Sequence, residues 1–155
     1  MYSANQIYRI GVVNRVLVLA MTGSSETSAK YQLIFHIARR IEWDKAQRTA
    51  QYTGDTLSSE GFIHCSTEEQ VVEVANRLFF GRKGLILLCI DSMLLNEELK
   101  YEPDERGTHY PHLYGQLNVD AVVGVMDFEP DEEGFFHLPE IVEELKANRT
   151  GTLLH

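Results

Sequence analysis

The sequence predicts a single α+β domain, and three observations carry that expectation. Residues 33–38 (LIFHIA), 85–90 (LILLCI) and 121–128 (AVVGVMDF) are apolar runs too short for helices and read as strands. A strongly amphipathic segment with a helix-start signal lies between the first two. The inferred order, β-α-β-α-β-β-β-α, lacks the regular alternation of a doubly wound parallel sheet.

Residues 1–30 stand apart from this pattern. Asn14 and Arg15 interrupt the run 10–21, leaving an apolar stretch over 16–21 that is short for the ~7–15 residues of an export-signal core. A polar linker follows over 22–28. A weak export signal, a loosely attached strand and an upstream extension with Met21 as the natural start are the three readings, and the third is expected. The chain then divides into an extension over 1–30, one domain over 31–147 and a tail over 148–155.

Within the domain, Leu33, Phe35 and Ile37 share one face of the first strand and Ile34, His36 and Ala38 the other. Trp43, Ala46 and Ala50 mark a short helix over 42–51, and Gly54, Asp55, Ser58, Ser59 and Gly61 a loop over 52–61. Residues 62–65 form a second strand. Ser66-x-x-Glu69 and Thr67-x-x-Gln70 are both capping boxes opening a helix with Val71, Val72, Ala75, Leu78 and Phe79 inward, stopped at Gly81. The run 85–90 predicts a strand buried on both faces, ending at Asp91, a turn residue or cap. Residues 98–102 alternate, with Leu99 and Tyr101 inward. Residues 103–111 read as a polar loop, 131–134 as a turn and 135–138 as a last short strand. Pro139 at the first helical position introduces Ile141, Val142 and Leu145.

Composition narrows the function classes. Fourteen Lys and Arg against 23 Asp and Glu give a net charge of −9, which disfavours nucleic acid as a general partner. The charge is uneven: residues 1–83 carry +2 and residues 84–155 carry −11. A small anion could dock against the first half, whereas a long polyanion would meet a repulsive second half. No stretch approaches the ~20 apolar residues of a membrane-spanning helix, so a soluble protein is expected. Two cysteines, Cys65 and Cys89, sit in apolar runs without metal or disulfide spacing, which fits a cytoplasmic compartment.

Strand alternation picks out the candidates for chemistry. His64 and Ser66 fall on one face of their strand, opposite Ile63 and Cys65, so the adjacent His64 and Cys65 cannot act together as base and nucleophile. His36 lies opposite Leu33, Phe35 and Ile37. The segment 109–115 (HYPHLYG) reads as an aromatic, His-rich loop that would be costly in water unless it covers something. His112 and Tyr114 are expected to converge with His36 and His64 on one pocket able to hydrogen-bond a sugar or phosphate and to move a proton near pH 7. His109-x-x-His112 matches no common zinc spacing, and no metal is assigned. Glu102 shares the polar side of its strand with Glu98 and Lys100, ordinarily a solvated face. Arg77, on the capped helix, could reach an anion. Gly81-Arg82-Lys83-Gly84 lacks a phosphate-loop ending and reads as a turn.

The segments IFHIA followed by EW (His36, Glu42, Trp43), EGFIHCS (60–66), Gln70 with VANRLFFG (74–81), LLCID (87–91), LKYE (99–102) and YPHLYGQLN (110–118) followed by AVVGV together resemble domain-of-unknown-function family 952, a group of small bacterial proteins. The resemblance runs from about 33 to 138. It implies a compact split barrel of two small, mostly antiparallel sheets with flanking helices, similar to the ADP-ribosyltransferase fold, around a cleft for NAD. On that likeness His36 contacts the adenosine ribose region, and His64 and Ser66 fall on the strand that braces the nicotinamide ribose. His112 and Tyr114 match the family's own third motif. Active transferases of that fold use a late Glu to hold the ribose 2′-hydroxyl as oxocarbenium character develops; Glu102 is the nearest candidate, although it precedes the third motif.

The function implied is that of an ADP-ribosyl- or phospho-transferase-like protein. His64, His112 and Glu102 would be catalytic, and His36, Ser66, Tyr114 and Arg77 would hold NAD or a related small-molecule nucleotide. The alternative is a non-catalytic module that binds a nucleotide or sugar phosphate. A third reading makes the histidines structural and assigns function to the acidic surface.

Overall fold

The computed structural model describes residues 32–151, with side chains as far as 148. The expected extension over 1–30 lies outside the described residues. In chain order the elements are β1 (Leu33–Arg39), α1 (Arg40–Thr49), β2 (Gln51–Tyr52), α2 (Leu57–Glu60), β3 (Ile63–His64), α3 (Glu68–Leu78), β4 (Leu85–Asp91), β5 (Glu98–Pro103), β6 (His109–Tyr114), β7 (Leu117–Asn118), β8 (Val122–Asp127) and α4 (Ile141–Gly151). A 3₁₀ turn, Ser92–Leu94, follows β4, where the Asp91 carboxylate caps it by accepting from the Met93 N–H at 2.9 Å.

Every strand pairing is antiparallel. One sheet has the order β1-β4-β8, a second β3-β6-β5, and β2 pairs with β7 alone. A two-residue bridge, Phe35 to Ser66, stitches the first sheet to the second, with reciprocal backbone bonds of 2.8 Å. Among the described residues the sheets form no closed barrel; the mixed architecture of antiparallel sheets and four α-helices is what the α+β expectation covers.

The first sheet is buried on both faces, which is why its strands read as unbroken apolar runs. Ile34, Ala38, Ile86, Leu88, Ile90 and Val125 face the second sheet's Ile63 and Leu113. Phe35, Leu85, Leu87, Cys89 and Val123 face Val71 and Ala75 of α3 and Val142 and Leu145 of α4. At Gly124 a Cβ would lie 2.8 Å from Leu145 Cδ1, so a larger residue there would make the Leu145 side chain shift.

The helix α3 starts from the second of the two capping signals. The Gln70 side chain accepts from the Thr67 N–H at 3.0 Å, and its amide donates to the His109 carbonyl at 2.7 Å, tying the helix to β6. Cys65 is core, as expected, and burial pushes its thiol up to about 12.

Several sequence expectations need correction. Residues 109–114 are not a loop but β6, the middle strand of the second sheet. Pro111 is tolerated there because β3 has ended, and its carbonyl takes the Cys65 N–H at 2.9 Å. Tyr101 shares the inner face with Leu99, opposite Pro111, but is only partly covered: it is 43% exposed and its hydroxyl donates to Gln32. Residues 135–138 form no strand. Phe136 instead exchanges two hydrogen bonds with the Asn76 side chain, which straps this segment to α3. α4 begins at Ile141, two residues beyond Pro139, whose carbonyl accepts from the Val142 N–H.

Candidate functional site

The outer face of the second sheet collects the chemistry. The pairing sets His64 opposite His112, and His112 opposite Lys100, so one row crosses three strands. Strand alternation sends Ile63 and Leu113 into the core and leaves this row outside. The His64 and His112 rings meet edge to face, centroids 5.3 Å apart. Phe62 stacks on His112 at 4.1 Å with planes 15° apart, and also touches His64 and Tyr114. The His112 side chain is consequently 13% exposed, although it sits on an outer face.

Carboxylates hold both imidazoles. His112 Nδ1–H donates to Glu102 Oε1 at 3.0 Å, and the Tyr114 hydroxyl donates to the same oxygen. Both bonds fall on Oε1. Glu60, the last residue of α2, accepts from His64 Nε2–H at 2.7 Å. Lys100 Nζ lies 4.6 Å over the Tyr114 ring and 3.8 Å from Glu98. The hydrogen bond from Tyr114, then that from His112, holds the Glu102 carboxyl below its ordinary range, while the Tyr114 phenol is raised by the same carboxylate. Tyr114→Phe and His112→Ala are therefore each expected to raise the Glu102 pKa. A carbon-13 NMR titration of the side-chain carboxyl checks it; an unmoved midpoint in Tyr114→Phe contradicts the arrangement.

The remaining sequence-picked residues lie elsewhere. His36 is buried between the sheets and does not reach this face. Its Nδ1–H donates to the His64 main-chain carbonyl at 2.6 Å, and its Nε2 accepts from the Tyr52 hydroxyl at 2.9 Å. Burial holds this ring below the ordinary 6.5, in the neutral form that such a donor–acceptor pair requires. His36 thus braces β3 from behind. Ser66 is also buried, because the chain leaves β3 after His64 and crosses to pair with Phe35. Arg77 is on the exposed side of α3, ion-paired to Glu73 at 3.0 Å.

Three participants were not singled out from the sequence: Phe62, Glu60 and Lys100. Phe62 stands two residues before His64, so strand alternation puts it on the same face. Glu60 could not be found that way, since α2 is a single turn. Among the described residues no group of three or more His, Cys, Asp or Glu side chains is placed to hold a metal ion. No helix among them is long and apolar enough to cross a membrane.

A family described as "Protein of unknown function (DUF952)" matches residues 37–125, more than half of the chain. The chain belongs to that family. The DUF952 match spans Glu60, Phe62, His64, Lys100, Glu102, His112 and Tyr114, the whole of the site described above. The crystal structure of protein CC0527 from Caulobacter crescentus is similar, with 34% identity and a TM-score of 0.64 over 74% of this chain and 98% of that one. Its solution NMR structure is likewise similar, at 35% identity and a TM-score of 0.60 over 72% and 95% of the two chains. No curated protein matches the chain.

Proposed function

We propose that the outer face of the β3-β6-β5 sheet binds the nicotinamide-ribose part of NAD or a related nucleotide and transfers its ribosyl group, in a relative of the ADP-ribosyltransferase fold. The observation that carries this reading is the Glu102 carboxylate, fixed on one oxygen by Tyr114 and His112 and open on the other. Ribosyl transfer breaks the bond from C1′ to the nicotinamide nitrogen, and the electron pair leaves with the neutral nicotinamide. Positive charge develops on the ribose, and a carboxylate held ionised beside it is stabilising. Glu102 Oε2 would accept from the ribose 2′-hydroxyl, and Phe62 and Tyr114 offer flat surfaces for the cationic ring.

An acceptor hydroxyl attacking C1′ must lose a proton. His64, about half exposed and oriented by Glu60, is the base suited to take it. Lys100 is the one cation in the cluster and is shared with Glu98, so this site suits the nicotinamide ribose better than the pyrophosphate. His36 and Ser66, enclosed between the sheets, support the site from beneath rather than touching the ligand.

One observation favours a second reading, a binding module without turnover. The His64 and Glu60 side chains are 49% and 47% exposed, and an oxocarbenium-like centre ordinarily calls for exclusion of water. Thermal melts with NAD, combined with chromatographic detection of released nicotinamide, decide between the two. Saturation at ~100 times Kd adds ~2.7 kcal/mol. Stabilisation and release that both weaken in His64→Ala support the transferase. Stabilisation without release selects the binder, and no stabilisation by NAD or ADP-ribose overturns both.

A further inference from the structure

A second concentration of charge lies at the far end of the first sheet, and it shares no residue with the site above. The end of β1, the first turn of α1 and the loop entering β4 enclose an open groove of about 500 Å³, lined by Arg39, Arg40, Arg82 and Lys83 with Ile41 and Asp44. Four cations around one hollow are unexpected in a chain of net charge −9.

The backbone of this groove is fixed. The Arg40 N–H donates to the Gly84 carbonyl at 3.0 Å, the Gly84 N–H donates to the Glu129 carboxylate at 3.0 Å, and the Arg82 N–H donates to the Phe79 carbonyl at 2.8 Å. Neutralisation of the charge is incomplete. Arg40 is paired with Asp127, and Arg39 has a loose, exposed contact with Glu42 at 3.5 Å. Arg82 leans over the Phe79 ring at 5.5 Å, and neither it nor Lys83 has a carboxylate partner among the described residues. Two guanidinium groups and an ammonium are thus held on a rigid frame with donors to spare.

We infer that this groove is a binding site for a compact, multiply charged phosphate anion of roughly mononucleotide size. The volume falls within the ~300–1,000 Å³ of small-molecule sites. Guanidinium forks match phosphate oxygens in pairs, and the lysine adds a point charge. Every lining cation belongs to residues 1–83, the half with positive net charge, while the −11 of the other half repels a long polyanion. Asp44, at the rim, limits the affinity.

The test uses the full chain, with pyrophosphate as the probe, by calorimetry at low ionic strength. Pyrophosphate is expected to bind saturably and more tightly than monovalent anions. The Arg82→Glu/Lys83→Glu variant should bind at least tenfold more weakly; both side chains are exposed, so its melting temperature serves as the folding control. Asp44→Asn should bind several-fold more tightly. Absence of saturable binding, an unchanged affinity in the double variant, or attachment to phosphatidylglycerol vesicles without binding of free pyrophosphate overturns the assignment.

Discussion

Glu102→Gln is expected to lower the rate of nicotinamide release by about 10²–10³-fold, the usual loss when one preorganised electrostatic partner of a developing charge is removed. The amide keeps the shape and can still accept from Tyr114, so the fold should be untouched; the carboxylate is at a half-open surface. On the proposed reading, what disappears is the negative charge beside the reacting ribose. The effect should therefore appear in kcat with a smaller change in KM, because the interaction is strongest in the transition state. Steady-state kinetics alongside a melting curve separates this from misfolding. A variant within threefold of the parent in kcat would remove Glu102 from the chemistry.

His36→Ala should produce the largest stability loss. The substitution opens a cavity between the sheets and leaves the Tyr52 hydroxyl and the His64 carbonyl without their shared partner. Cavity formation and stranded polar groups together give an expected loss of roughly 3–5 kcal/mol. The same residue imposes a pH dependence. Its pKa in the fold lies below the ordinary 6.5, so the unfolded chain binds more protons than the folded one just under that value. The contribution is complete above about pH 6.5 and declines as the pH falls through 6.5 toward the folded pKa. Urea unfolding at a series of pH values should show a steeper acid loss in the parent than in His36→Ala. Equal slopes would mean that the buried imidazole is not neutral in the fold.

The first sheet was legible because burial on both faces leaves an unmistakable trace, a run such as LILLCI with no polar break. The second sheet was only half legible. β6 reads HYPHLY, and an internal proline with two histidines and two tyrosines resembles a loop when its partners are unknown. β2, β3 and β7 have two residues each, too few for any period to emerge. Alternation correctly set Glu102 with Lys100 and Glu98, yet the groups that give Glu102 its character, His112 and Tyr114, arrive by strand pairing across a turn.

His64 and His112 meet on one sheet face, as strand pairing dictates; His36 does not join them. By alternation alone its strand has one apolar face and one available face. Both faces are covered, the second by Ile63 and Leu113 of the other sheet, and that packing is a long-range event no local pattern records. Ser66 departs from the alternation pattern for a related reason. Alternation holds only while a strand continues, and β3 stops at His64.

The most direct measurement is an amide chemical-shift titration of the full chain with NAD. Ligation on the outer sheet face should move Phe62, His64, Lys100, Glu102, His112 and Tyr114 together along one binding curve. Shifts that spare these six positions, whether absent altogether or confined to another surface, would contradict the assignment of this face as the nucleotide site.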